Sequence, residues 1–201
     1  MSNTRVLVTG FEPFGGARLN PSQLLVEKLA EEKLPGVELA TVILPVEFDR
    51  ATEILLAKIQ EFSPKVVISF GQAEGRSSIT PEKIAINLDD ARIADNSGDA
   101  RKQKQIIDGG ADGYFSTLPV EKIVSAINEA GVSSNLSLSA GSFVCNHIFY
   151  CMQHALLGME IISGFIHLPL VPEQSKDFPN QPTMTLDEML VGAKRAILST
   201  L

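Results

Sequence analysis

One cysteine and one histidine stand at predicted element ends, where side chains are available for covalent chemistry. Cys145 lies in the segment FVCNH, which follows a predicted strand at residues 136–139 and begins a predicted helix. At a helix N-terminus, free backbone N–H groups and the helix dipole stabilise a thiolate and lower the pKa of the thiol. His167 lies in GFIHLP, at the carboxyl end of the next predicted strand. These positions favour a nucleophile and a base.

The two side chains meet only if the two predicted strands are neighbours in one parallel sheet. A strand, helix, strand unit is right-handed and returns both strand ends to one edge, where neighbouring strands lie about 4.8 Å apart. Two structural alternatives stay open: Cys145 as a small buried apolar side chain, and His167 as a hydrogen-bonded core histidine. His147 is a poor base for this thiol, because residues two apart on a helix point to nearly opposite sides.

A second group of residues offers a different function. His147, Cys151 and His154 are spaced i, i+4 and i+7, so they share one helical face, and all three are potential zinc ligands. The alternative hypothesis is therefore a non-catalytic metal- or ligand-binding α/β protein. No fourth ligand is suggested nearby, which weakens it.

The loop after the first predicted strand reads GFEPFGG. It lacks the G-x-G-x-x-G spacing of a dinucleotide site and the Gly-Lys-Ser/Thr of a P-loop, so a nucleotide is not favoured. Phe11 and Phe14 suit a small flat apolar group, although both could be ordinary core aromatics. A phosphate-using hydrolase or phosphorylase on a similar fold remains a second enzyme alternative.

Strands and helices alternate along the whole chain, which predicts a three-layer α/β/α sandwich with a mostly parallel central sheet. Short β-branched and aliphatic runs predict the strands, and amphipathic patterns with capping residues predict the helices. Two polar or proline-rich stretches, 89–112 and 173–183, are expected as surface loops. The predicted strands are 5–9, 37–44, 65–70, 136–139 and 161–168, and the predicted helices run from 21 to 33, 48 to 62, 119 to 131, 145 to 158 and from 185 onward.

Composition and charge restrict the class of protein. The 201 residues are 44% hydrophobic and 20% charged, with a net charge of −7, as expected for one soluble domain spanning 1–201. The acidic balance disfavours nucleic acid as a partner, and no apolar run reaches the roughly 20 residues that span a membrane. Without a recognisable export signal, we expect a cytoplasmic protein in which both cysteines are reduced.

Several motifs occur in a fixed order along nearly the whole chain: GFEPFGG, GQA, GR, ITPE, DDARI, FVCNH and GFIHLP. In this respect the sequence resembles the type I pyroglutamyl peptidases, the pyrrolidone-carboxylate peptidase family of cysteine peptidases. The resemblance implies a thiol-dependent exopeptidase that removes N-terminal pyroglutamate from peptides through a thioester. It implies an α/β/α fold, a homotetramer or dimer, and no metal or organic cofactor.

The resemblance also assigns roles to residues of this chain. The nucleophile matches Cys145, the histidine matches His167 and the acidic member of the triad matches Glu82, although spacing alone does not select this glutamate over the aspartates at 89, 90 and 95. Glu74 stands where the family usually has a small residue, and a carboxylate near the thiol would raise the pKa of that thiol. The implied pyroglutamate pocket consists of Phe11, Phe14, Gln72, Phe143 and Val144.

Overall fold

The computed structural model describes residues 3–201, which contain seven strands and five α-helices; strands and helices alternate up to the third strand, after which three short strands and two successive helices precede the last long strand. A short 3₁₀ helix at Pro172–Gln174 precedes the last helix. The strands are β1 (Thr4–Phe11), β2 (Val37–Leu44), β3 (Val66–Gln72), β4 (Thr80–Pro81), β5 (Ile84–Ile86), β6 (Gly113–Phe115) and β7 (Ile162–Leu168). The helices are α1 (Pro21–Ala30), α2 (Phe48–Phe62), α3 (Val120–Glu129), α4 (Val144–Ala155) and α5 (Leu186–Leu198).

The central sheet has five strands in the order β2-β1-β3-β7-β4. The first four are parallel, and β4 pairs antiparallel with β7 at the edge. A separate two-stranded antiparallel sheet pairs β5 with β6. The carboxyl ends of the four parallel strands therefore lie at one edge, where ligands of open α/β sheets bind.

Helices cover both faces of the sheet. On one face, α1, α3 and α5 pack over a core that includes Val8, Ile68 and Ile166. On the other face, α2 and α4 pack over a second core that includes Leu7 and Phe165. Because both faces are covered, successive strand residues are buried in both directions and the strands read as continuous apolar runs. The predicted three-layer sandwich is confirmed.

Two predicted helix starts are present with their capping contacts. The Asn20 side chain accepts a hydrogen bond from the backbone N–H of Ser22, and proline occupies the first position of α1. Thr185 and Glu188 form a capping box at the start of α5, each side chain satisfying the other's backbone N–H. Other helix ends differ from prediction by a few residues, since α1 ends at Ala30 rather than 33 and α4 at Ala155 rather than 158.

The strand predicted at 136–139 is wrong. Ser137 forms only an isolated bridge with Glu82. The sequence LSLS alternates like a strand, but the Ser137 and Ser139 hydroxyls bond to nearby backbone groups, which competes with a regular ladder. Leu138 is 71% exposed, so neither face of this segment is fully covered. Helix α4 therefore follows a loop and not a central strand.

Within residues 3–201, none of the helices is both long enough and apolar enough to cross a membrane.

Candidate active site

Gly71 and His167 are register partners in the adjacent parallel strands β3 and β7, near the carboxyl edge of the sheet. Paired residues of neighbouring strands direct their side chains to the same face, here the face that carries α4. The sulfur of Cys145, in the first turn of α4, lies 3.0 Å from the point that a Cβ on Gly71 would occupy. The structure thus brings the Cys145 thiol and the His167 ring to the same face, over neighbouring strand positions.

Gly71 provides the space in which this arrangement forms. A Cβ at that position would lie 2.7 Å from Cζ of Phe165 and 2.9 Å from Cε1 of the same ring. The Phe165 ring in turn lies 4.8 Å, centroid to centroid, from the His167 ring. Any side chain at position 71 would therefore push on both the thiol and the ring that borders the imidazole.

Glu82 is the carboxylate that contacts His167. It follows β4 directly, and the antiparallel pairing of β4 with β7 carries it beside the histidine. Its Oε1 atom lies 2.7 Å from Nδ1 of His167, and both side chains are buried. An ionised carboxylate only accepts hydrogen bonds, so an ionised Glu82 would require the ring proton on Nδ1 and leave Nε2 as the basic nitrogen.

The other three candidate carboxylates are committed elsewhere. Asp89 is buried and contacts Nδ1 of His147 and the guanidinium of Arg101. Asp90 pairs with Lys102 at the surface. Asp95 accepts a hydrogen bond from the backbone N–H of the first residue of α2 and so serves as a cap for that helix. Of these four carboxylates, Glu82 is therefore the one in hydrogen-bond contact with His167.

Arg76 is part of the site, and the sequence reasoning did not identify it. Its Nη1 atom lies 2.9 Å from Oε1 of Glu82, the oxygen that also faces His167. The guanidinium further donates to the backbone carbonyl of Ser139 at 3.0 Å and to the hydroxyl of Thr80. The signal in the sequence was an arginine in the loop that follows β3, at the ligand-binding edge of the sheet.

Burial raises the pKa of the Cys145 thiol to about 12, and the charge of Glu82 acts in the same direction. A backbone hydrogen bond at the start of α4 and the charge of Arg76 lower this pKa but do not outweigh those effects. The predicted lowering of the pKa is therefore wrong, because desolvation exceeds the contribution of the helix N-terminus. The thiol keeps its proton in the resting site.

Glu74 is exposed, and the carboxylate that opposes the thiolate is Glu82.

The start of α4 is held in place by Asn146, which follows Cys145 directly. Its side-chain oxygen accepts a hydrogen bond from the Ile86 backbone N–H at 2.9 Å, and its amide nitrogen donates to the carbonyls of Ile86 and Leu88. The N-cap residue, Phe143, makes no side-chain cap hydrogen bond. The first-turn N–H groups therefore have no cap acceptor and can donate to a developing oxyanion.

The pocket residues named by the resemblance lie around this point to different extents. Phe11 is 2% exposed and packs against Phe165, at a centroid distance of 6.3 Å. Phe14 and Phe143 are partly exposed and pack against each other at 6.0 Å, beside the α4 N-terminus. Val144 is fully buried. Phe11 and Val144 thus serve the core, whereas Phe14 and Phe143 offer ring surface at the edge.

Gln72 differs from the other pocket residues. It is the register partner of Leu168, so its side chain leaves the strand on the face opposite to His167. Its Oε1 atom accepts a hydrogen bond from Nε2 of Gln174 at 2.9 Å.

The three potential zinc ligands on α4 are engaged by different partners. Nδ1 of His147 contacts Asp89 at 2.9 Å, and its Nε2 lies 3.7 Å from the sulfur of Cys151. His154 instead pairs through Nδ1 with the hydroxyl of Tyr114 at 2.8 Å. Nowhere in residues 3–201 are three histidine, cysteine or carboxylate side chains grouped so that they could hold a metal ion.

Comparison with known proteins points in one direction. The family model for pyroglutamyl peptidase matches residues 4–201. A pyrrolidone-carboxylate peptidase from Vibrio vulnificus (strain CMCP6) is 48% identical over 197 residues, covering 98% of this chain and 92% of the relative. One from Bacillus cereus (strain B4264) is 42% identical over 194 residues, covering 96% and 90%.

Solved structures agree with the sequence comparisons. The crystal structure of pyroglutamyl peptidase I from Bacillus amyloliquefaciens superposes with a TM-score of 0.95 at 36% identity, covering 98% of this chain and 95% of that one. A mutant pyrrolidone carboxyl peptidase from the hyperthermophile Pyrococcus furiosus superposes with a TM-score of 0.93 at 39% identity, covering 98% of each chain.

Proposed function

The chain belongs to the pyroglutamyl peptidase family and is a cysteine-type hydrolase of that family, and from this premise we propose that Cys145, His167 and Glu82 are its catalytic triad. The observation that carries the proposal is the meeting of two contacts at one sheet edge. The thiol lies over Gly71, the register partner of His167, and the histidine in turn is held by Glu82 at 2.7 Å.

In the proposed reaction, Nε2 of His167 removes the thiol proton as the sulfur of Cys145 attacks the pyroglutamyl carbonyl. The high pKa of the Cys145 thiol fits a proton that moves during the attack and not beforehand. The resulting oxyanion accepts hydrogen bonds from backbone N–H groups of the first turn of α4, including that of Cys145. Glu82 stabilises the imidazolium that forms.

The second half of the reaction restores the enzyme. The imidazolium of His167 donates its proton to the leaving amine, the carbon–nitrogen bond breaks, and a thioester to Cys145 remains. Water then attacks the thioester while His167 accepts one of its protons, and pyroglutamate leaves as the sulfur regains a proton. No other reactant is needed.

Of the pocket residues that the resemblance implies, Phe11, Phe14, Gln72, Phe143 and Val144, we propose that Phe14 and Phe143 contact the pyroglutamyl ring, because they present ring surface beside the α4 N-terminus. A pyroglutamyl ring is flat and neutral, which suits the partly exposed rings of Phe14 and Phe143. A free α-amino group would bring a charge into this surface without a compensating partner, and its desolvation would exclude it. Selection for pyroglutamate over ordinary N-termini follows.

We further propose that residues 1–201 form a single peptidase domain, which acts as a homodimer or homotetramer in the cytoplasm. One five-stranded sheet with helices on both faces includes elements from Thr4 to Leu198, which supports a single domain. Both cysteines are free, and the cytoplasm is a compartment that keeps thiols reduced, which supports this location.

The two cysteines of the chain provide a matched test of the nucleophile. Cys145→Ser is expected to abolish hydrolysis of pyroglutamyl-aminomethylcoumarin with the same thermal unfolding curve, whereas Cys151→Ser is expected to retain activity. Iodoacetamide is expected to inactivate the wild-type enzyme, with inactivation following alkylation of Cys145 by mass spectrometry. Undiminished turnover by the Cys145→Ser variant, or loss confined to Cys151→Ser, would refute the assignment.

A further inference from the structure

We propose that Arg76 is a positioning residue of the active site, which acts through Glu82 to hold the imidazole of His167 in its basic form. The inference rests on the proposed triad. Its starting point is the sharing of one carboxylate oxygen, Oε1 of Glu82, by two donors, Nδ1 of His167 at 2.7 Å and Nη1 of Arg76 at 2.9 Å.

Burial makes the charge of Glu82 dependent on those two donors. The side chain is fully buried, and its second oxygen, Oε2, has no hydrogen-bond partner in the part of the chain that the structure describes. An ionised carboxylate in such surroundings needs a compensating cation, since desolvation favours its neutral form. The guanidinium of Arg76 is the permanent cation in contact with it.

The protonation of Glu82 decides which nitrogen of His167 is basic. An ionised Glu82 accepts from Nδ1–H and leaves Nε2 free to take the thiol proton. A neutral Glu82 carries an O–H that donates to Nδ1, and the ring proton then resides on Nε2. In that state the imidazole cannot act as the base. Arg76 thus supports catalysis without contacting the reacting atoms.

The arginine is well placed to hold this geometry. Its two terminal nitrogens join the loop after β3 to Glu82, to the hydroxyl of Thr80 and to the carbonyl of Ser139. Thr80 is itself the register partner of His167 in the antiparallel pair of β4 and β7. The guanidinium therefore joins segment 80–82, which contacts the histidine, to the carbonyl of Ser139, and the Arg76 side chain is only 25% exposed.

Arg76 also acts on the thiol directly through its charge. Two charged side chains act on Cys145, the Glu82 carboxylate and the Arg76 guanidinium, together with a backbone hydrogen bond at the start of α4. The charge of Arg76 lowers the pKa of Cys145, in opposition to burial and Glu82. Loss of the arginine raises this pKa further, so less thiolate is present at any given pH. Alkylation of Cys145 measures this effect without a substrate.

The test compares Arg76→Gln and Arg76→Lys with Arg50→Gln, which removes one positive charge from an exposed arginine on α2. For each variant, kcat and KM are measured on pyroglutamyl-aminomethylcoumarin. The rate of iodoacetamide alkylation at Cys145 is measured at a fixed pH near 8 by mass spectrometry, and the melting temperature is recorded.

We expect Arg76→Gln to lower kcat on the order of 10²-fold, with KM within about twofold of the wild type. Alkylation at Cys145 should slow by roughly threefold or more. Arg76→Lys keeps the charge but cannot serve three acceptors at once, so alkylation should return to nearly the wild-type rate while kcat stays about tenfold low. Arg50→Gln should match the wild type throughout.

An unchanged kcat in Arg76→Gln would overturn the inference, and a raised KM beside it would make Arg76 a substrate ligand. Equal loss of kcat in both Arg76 variants, in proportion to a lowered melting temperature, would also overturn it. If Arg76→Gln does not fold, Arg76→Lys decides, since a wild-type kcat in that variant refutes the role. An inactive wild-type enzyme would refute the proposed function alone, because the alkylation comparison uses no pyroglutamyl substrate.

Discussion

Replacement of Gly71 by alanine tests whether the open space over β3 holds the thiol and the imidazole together. The added Cβ would lie 2.7 and 2.9 Å from two atoms of the Phe165 ring and 3.0 Å from the sulfur of Cys145. Carbon–carbon contacts are most favourable at about 3.5 to 4.0 Å, so the ring must retreat by about 0.8 Å and the sulfur by about 0.5 Å.

The Phe165 ring has little freedom to retreat. It is 0% exposed, and the rings of Phe11, Phe149 and His167 surround it at centroid distances of 6.3, 6.2 and 4.8 Å. Overpacking of this kind costs about 1–3 kcal/mol of unfolding free energy. Displacement of the sulfur from the imidazole by a fraction of an ångström to 1 Å is expected to lower kcat on the order of 10²-fold.

The assay records urea unfolding and the kinetics of pyroglutamyl-aminomethylcoumarin hydrolysis for Gly71→Ala and for a control, Gly36→Ala. Gly36 has a φ of +74° and no atom within 4 Å of a built Cβ, and it lies in the turn before β2. Alanine there strains the backbone by about 1–2 kcal/mol without contact to the site. If both variants lose similar stability and only Gly71→Ala loses kcat, the loss of activity comes from the clash at the site and not from general destabilisation.

A Gly71→Ala enzyme with wild-type stability and wild-type kcat would refute the reasoning, because the added methyl group would then not press on Phe165 or on the sulfur of Cys145. Loss of stability with unchanged kcat would show that Phe165 absorbs the clash and that the thiol does not depend on this space. Equal kcat losses in both variants would assign the effect to general destabilisation.

Three further changes follow from the contacts of the site. Glu82→Gln is expected to lower kcat on the order of 10³-fold, because an amide can donate to the imidazole and select the wrong tautomer. An unchanged kcat on pyroglutamyl-aminomethylcoumarin would contradict this. Asn146→Ala removes three hydrogen bonds to segment 86–88 and should cost about 3 kcal/mol of unfolding free energy in urea titrations, where a change below about 1 kcal/mol would contradict it. Burial acts to raise the pKa of Asp95, but hydrogen bonds from Ser97 and from backbone N–H groups outweigh burial and hold this pKa below its usual value. Its contribution to stability is thus present above pH 4 and is lost as pH falls through the lower folded value, so Asp95→Asn should flatten the acid limb of the stability profile.

The fold was predictable wherever local signals agreed with the tertiary structure. Helix α2 begins and ends where the sequence predicts, at Phe48 and Phe62, because an amphipathic pattern stops before Ser63-Pro64. The four parallel strands of the sheet were also expected from their apolar runs. Residues 136–139 misled the prediction because their leucine–serine alternation satisfies the strand pattern, while the hydroxyls bond locally instead.

The acidic part of the site could not be derived from local patterns. Glu82 reaches His167 across 85 positions of the chain, through a two-residue strand that contains a proline and is too short to produce a periodic signal. Arg76 could not be identified for the same reason, since its contacts to Glu82 and Ser139 join segments that no local sequence pattern connects. Only the resemblance to a family suggested the glutamate.

The approach of Cys145 to His167 was predicted on a premise that the structure does not bear out. The sequence predicts a strand before α4 that pairs with the strand of His167, whereas the parallel neighbour of β7 is β3. The sulfur of Cys145 nevertheless lies on the face on which Gly71 and His167 are paired, because α4 crosses that face and the glycine leaves room for the sulfur. The informative signal was therefore a glycine near the end of a buried strand, since an absent side chain at the ligand edge marks a place where another element comes close.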